Sequence, residues 1–120
     1  MEHIQEMARL GSIKNIEIWV YHENLMNPSF HIKTKTYEIV LQIKDFKILE
    51  WKYRISGQKN ISTSDKLIIY KFLTEKHRKF ATTNWQVLLI YWNDSNLENQ
   101  LSEDTKIPSL KEFLNIKDKK

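Results

Sequence analysis

The sequence predicts an α+β fold: a four-stranded antiparallel meander, then two long helices packed on one face of it, then a short C-terminal helix. Three observations predict it. Apolar and polar residues alternate with period two through four successive runs between Asn15 and Arg54. From Ser62 onward the apolar residues recur at helical spacing instead, behind hydroxyl residues of the kind that cap helices. Only two glycines and two prolines interrupt 120 residues, so the connections should be tight.

The first strand is expected over Asn15–His22, with Ile16, Ile18 and Val20 on one face and Glu17, Trp19 and Tyr21 on the other. That second face is aromatic rather than polar, so it too should meet something. Glu23–Pro28 is turn-like. Ser29–Thr34 sets Phe30 and Ile32 against His31 and Lys33, and Lys35-Thr36 forms a two-residue connection although neither residue favours positive φ. Tyr37–Lys44 alternates Tyr37, Ile39, Leu41 and Ile43 against Glu38, Val40, Gln42 and Lys44. Asp45-Phe46 is the next turn. Lys47–Ile55 then places Leu49, Trp51, Tyr53 and Ile55 opposite Ile48, Glu50, Lys52 and Arg54.

Ser62-Thr63-Ser64-Asp65 opens the first helix, whose stripe of Leu67, Ile68, Ile69, Phe72 and Leu73 should run to about Lys79. Thr83-Asn84-Trp85-Gln86 opens the second, which puts Trp85, Leu88, Leu89 and Trp92 on one face and ends near Asp94–Asn96. Ser109-Leu110-Lys111-Glu112 starts a short third helix carrying Leu110, Phe113 and Leu114. The organisation expected is a flexible segment 1–12, a single domain 13–96, and a polar linker with a short helix over 97–120. Leu97–Lys106 is the stretch expected to be most mobile, and Asp118-Lys119-Lys120 should fray.

The composition is that of an ordinary globular chain, 41% hydrophobic and 28% charged. No cysteine is present, which removes disulfides, thiolate metal sites and cysteine nucleophiles. Residues 1–10 are too polar for a signal peptide, and no apolar run approaches the roughly 18 residues that span a bilayer. A cytoplasmic protein without membrane contact is the expectation. With only Gly11 and Gly57, no phosphate-cradling glycine loop exists, and no cofactor is expected. A net charge of +4 permits contact with nucleic acid without implying it.

Four histidines are the side chains that titrate near neutrality. His3 and His77, the latter among Glu75, Lys76, Arg78 and Lys79, are expected at the surface. His22 ends one strand and His31 opens the next, so a hairpin would bring them near one sheet edge. Glu23 is the one convenient third ligand, short of a standard metal set, and no metal is assigned. Ser29 beside His31 lacks the glycine-flanked elbow of a serine hydrolase, and no catalytic residue is assigned. Lys33, Lys52 and Arg54, near Trp51 and Tyr53, are the candidate nucleic-acid contacts. Their alternation sends basic groups to one face and aromatics to the other, which leaves a solvated sheet face as the plain reading.

The runs Glu17-Ile18-Trp19-Val20-Tyr21-His22-Glu23 and Asn27-Pro28-Ser29-Phe30-His31-Ile32-Lys33, with the later Asn84-Trp85 and Trp92-Asn93, resemble a family of small bacterial and phage proteins of unknown function. Those proteins share a Pro-His-Phe-His motif opening a strand. Pro28, Phe30 and His31 match it, and Ser29 replaces its first histidine, so half of any paired-histidine site is missing here. The resemblance implies a toxin–antitoxin-like arrangement with a second small protein, hence a protein partner and, as an alternative, an RNA-directed toxin.

The function expected first is a non-enzymatic protein-interaction module that docks through its sheet, by a partner or by self-association, with Trp19 and Tyr21 as the protein contacts. The motif residues His22, Pro28, Phe30 and His31 form the second candidate set. An RNA-binding or RNA-cleaving toxin, with His31 as general acid or base, is the alternative, and a phage virion component a third.

Overall fold

Lys14 and Asn15 adopt positive φ, 50° and 70°, the left-handed pair that closes a two-residue hairpin. They therefore join two strands. The computed structural model describes residues 7–22 and 27–116. Five strands follow one another: β1 (Met7–Ile13), β2 (Ile16–Tyr21), β3 (Ser29–Lys33), β4 (Tyr37–Gln42) and β5 (Ile48–Arg54). Each pairs antiparallel with the next in chain order, a plain meander with β1 and β5 at its edges. Helices α1 (Thr63–Thr74), α2 (Asn84–Ser95) and α3 (Leu110–Leu114) come after the sheet.

One face of the sheet makes the core. Ile16, Ile18, Val20, Phe30, Ile32, Tyr37, Ile39 and Leu41 are buried with Ile69 and Leu73 of α1, Trp85, Leu88, Leu89 and Trp92 of α2, and Phe113 of α3. Each such side chain contributes about 1.5–3 kcal/mol. The expected tryptophan stripe of α2 is thus buried. Phe46, in the β4–β5 turn, sits at the middle of the aromatic packing, with Phe113 at 4.8 Å, Phe30 at 5.7 Å and Trp85 at 5.8 Å between centroids. Its φ of +63° is strained for a bulky residue, and complete burial offsets that cost of about 1–3 kcal/mol.

All three helix starts carry the expected caps: Ser62, Thr83 and Ser109 accept from the backbone N–H of Asp65, Gln86 and Glu112. Only Ser109 forms the reciprocal box, through Glu112.

Five expectations are corrected. The segment 1–12 is not free along its length, because Met7–Ile13 is a strand and Leu10 is in the core; residues 1–6 lie outside the described residues. The packed core also extends past residue 96, to Phe113. The face assignment in β5 fails because two bulges, at Leu49 and Lys52, each add a residue. Trp51 faces Ile39 and Arg54 faces Tyr37 on the core side, whereas Tyr53 faces Glu38 on the opposite side. Helix α1 stops at Thr74 rather than Lys79: the Phe72 carbonyl accepts both the Glu75 amide and the Asn84 side chain, and Leu67 is exposed. The linker after α2 is pinned, since Trp92 Nε1 donates to the Asn99 carbonyl (2.8 Å) and Trp85 Nε1 to that of Thr105 (3.0 Å). The expected fraying of 118–120 and the position of His3 lie outside the described residues.

Candidate functional site

The sheet face turned away from the core carries Glu17, Trp19 and Tyr21 of β2, His31 and Lys33 of β3, and Glu38 and Val40 of β4. Strand pairing sets Trp19 opposite His31, and Lys33 opposite both Glu17 and Glu38. His31 is 1% exposed there. Its Nδ1–H donates to Glu38 Oε2 at 3.2 Å, the tautomer a carboxylate partner requires. The Tyr21 ring lies 4.1 Å from the imidazole, and Trp19 lies 6.2 Å from Tyr21. Trp19 Nε1 donates to Glu17 Oε1 at 2.9 Å, and Arg9 of β1 reaches the other oxygen at 3.9 Å.

Each carboxylate of the face has a partner within it. Glu17 is bonded to Trp19, Glu38 to His31, and on β5 Glu50 pairs with Lys52 at 3.4 Å. Lys33, flanked across the sheet by Glu17 and Glu38, forms no ion pair among the described residues. The face therefore presents half-buried aromatics together with an exposed lysine that is in no direct ion pair among the described residues. The imidazole is buried, and Ser29 Oγ, fully buried nearby, makes no hydrogen bond among the described residues, so none of them activates it as a nucleophile.

The other candidates are dispersed. His22 is exposed, and its Nδ1–H donates to the Ser95 carbonyl at 2.6 Å, tying the end of β2 to the last turn of α2. Asn96 reinforces this tie by donating to the Tyr21 carbonyl at 3.2 Å. Its bond to α2 separates the role of His22 from that of His31, which is engaged by Tyr21 and Glu38. Glu23, the third ligand considered, and most of the Glu23–Pro28 turn lie outside the described residues. Among the described residues no three His, Asp or Glu side chains gather as a metal set. Pro28 begins the β3 ladder by accepting the Ile43 amide at 2.9 Å, and Phe30 is a core residue. Of the basic trio, Lys33 stands on the outer face, Lys52 pairs with Glu50, and Arg54 lies over the Trp51 ring at 4.7 Å on the other side. The bulge at Lys52 separates them.

Two groups escaped the sequence reading. Lys66 is buried on α1, outside the apolar stripe read from the sequence. His77 is 5% exposed, not a surface residue, because the chain after α1 folds back through a bridge between Lys76 and Thr83. No family model, curated protein or solved structure matches the chain. Among the described residues no helix is long and apolar enough to cross a membrane.

Proposed function

We infer that the protein is a non-enzymatic interaction module, one half of a two-protein pair, that docks its partner on the outer face of β2, β3 and β4. The observation that carries this reading is the half-buried aromatic pair Trp19 and Tyr21 on a face that also holds the exposed Lys33, which forms no direct ion pair among the described residues. Aromatic side chains are enriched where proteins meet, and charge complementarity steers the encounter. The occupant is accordingly a protein surface with carboxylates around an apolar patch, which the net charge of +4 also favours. His31 and Glu38 hold the Tyr21 ring in place and so preorganise the face. The dispersal of Lys33, Lys52 and Arg54 counts against RNA on this surface.

The product of the neighbouring gene, which the family resemblance implies, is the partner to test. Titration calorimetry of that purified protein should show binding that Trp19→Ala weakens about 30-fold or more, as a central aromatic anchor does. Lys33→Glu should slow association and flatten its salt dependence. Full-strength binding by both variants refutes the assignment. Concentration-dependent dimers abolished by the same substitutions would make the occupant a second copy instead.

A further inference from the structure

Where α1 hands over to α2, a cavity of about 110 Å³ opens between the β1 edge and the connecting segment. It is lined by Gly11 and Ser12 of β1, by Lys76, His77 and Arg78, and by Asn84 at the first turn of α2. His77 is 5% exposed, and its Nδ1 accepts the Lys79 amide at 3.0 Å. That bond makes Nε2 the protonated nitrogen, and Nε2 has no partner among the described residues. Neither Lys76 nor Arg78 forms an ion pair among the described residues, and Glu75 is the one acidic lining residue. The N-terminus of the 12-residue helix α2 adds a positive dipole end at the same place.

We propose that this cavity binds a phosphate group. Its volume is well below the roughly 300–1,000 Å³ of ordinary small-molecule pockets, so it fits a headgroup and not a whole cofactor. A tetrahedral oxyanion accepts from several donors at once, and the lining supplies three candidate donor side chains in the Arg78 guanidinium, the His77 N–H and the Lys76 ammonium. The surroundings extend the charge. Lys71 and Lys79 are exposed nearby in sequence, and the exposed Phe80 ring lies 5.1 Å from His77. A phosphate carried on single-stranded nucleic acid could therefore stack a base on Phe80 while its phosphate fills the cavity.

The test is an NMR titration of the full chain at constant ionic strength with three probes: inorganic phosphate, acetate and a short oligouridylate. Inorganic phosphate should give saturable shifts at the amides of Gly11, Ser12 and Lys76–Arg78. Arg78→Ala, an exposed position that should not disturb folding, should weaken it about tenfold or more. If oligouridylate binds the same residues more tightly and Phe80→Ala weakens it alone, the phosphate belongs to nucleic acid. If inorganic phosphate binds and the oligonucleotide adds nothing, it is a free phosphate. Unsaturable or scattered shifts, acetate binding as well as phosphate, or full affinity in Arg78→Ala each overturn the proposal, and none of them touches the docking face.

Discussion

Replacing Lys66 by methionine should loosen the C-terminal helix and lower the stability of the whole domain. Lysine is seldom buried, and an ammonium taken from water without partners costs several kcal/mol. Lys66 is 4% exposed. Its Nζ donates to the Ile116 carbonyl at 2.7 Å and the Leu114 carbonyl at 3.3 Å, the open end of α3, and lies 5.9 Å from the Phe113 ring. Hydrogen bonds from a charged donor contribute about 1.5–3 kcal/mol each. Lys66→Met keeps the aliphatic stem and removes those donors, so the recovered desolvation cost and partial rehydration of the half-buried carbonyls offset much of the loss. The net change expected is a destabilisation of about 1–2 kcal/mol, or roughly 4–8 °C in Tm for a domain of this size. Thermal denaturation followed by circular dichroism reads the stability, and hydrogen exchange at the Asn115 and Ile116 amides reads α3 itself. A Lys66→Met protein as stable as wild type, with those amides equally protected, refutes the reasoning.

Two further outcomes test the core. Burial and the neighbouring Asp65 carboxylate push the Tyr37 phenol well above the usual tyrosine range, and its hydroxyl donates to Asp65 Oδ2 at 2.9 Å. A raised folded value means this contribution is complete below the unfolded tyrosine value of about 10 and is lost as pH climbs past it, at about 1.4 kcal/mol per pH unit. Alkaline denaturation should therefore be steep above pH about 10, and Tyr37→Phe should flatten that slope while costing about 1 kcal/mol at neutral pH; an unchanged alkaline slope contradicts it. A Cβ at Gly11 would come within 2.6 Å of Phe72 Cζ, so Gly11→Ala should cost about 1–3 kcal/mol and Phe72→Leu should recover part of it in urea titrations. If Gly11→Ala unfolds at the wild-type midpoint, β1 and α1 do not approach so closely.

Much of this architecture was legible in the residues. Period-two alternation marks β2 to β5, and hydroxyl caps mark the start of every helix, because both signals are local. The first strand was hidden because Leu10 bulges out of register and Gly11 and Ser12 carry little strand preference; the Asn15 turn beside Ile13 and Ile16 was the available signal. Bulges likewise reversed the faces of Tyr53 and Arg54, since one extra residue flips every side chain beyond it. Lys66 and His77 escaped because their partners lie at the far end of α3 and across the α1–α2 connection, and long-range partners leave no mark in a neighbouring residue. On the candidate face, Trp19, Tyr21, His31 and Lys33 were named from alternation. The bonds from Trp19 to Glu17 and from His31 to Glu38 depend on side-chain geometry that alternation does not carry.

Cross-saturation NMR on the protein mixed with the neighbouring-gene product, the partner proposed above, reads the contact surface atom by atom. Irradiating the partner should attenuate the side-chain protons of Trp19, Tyr21 and Lys33 most strongly and leave those of α2 and α3 unaffected. Attenuation centred on the helices, with Trp19 and Lys33 untouched, would contradict docking through the outer face of the sheet.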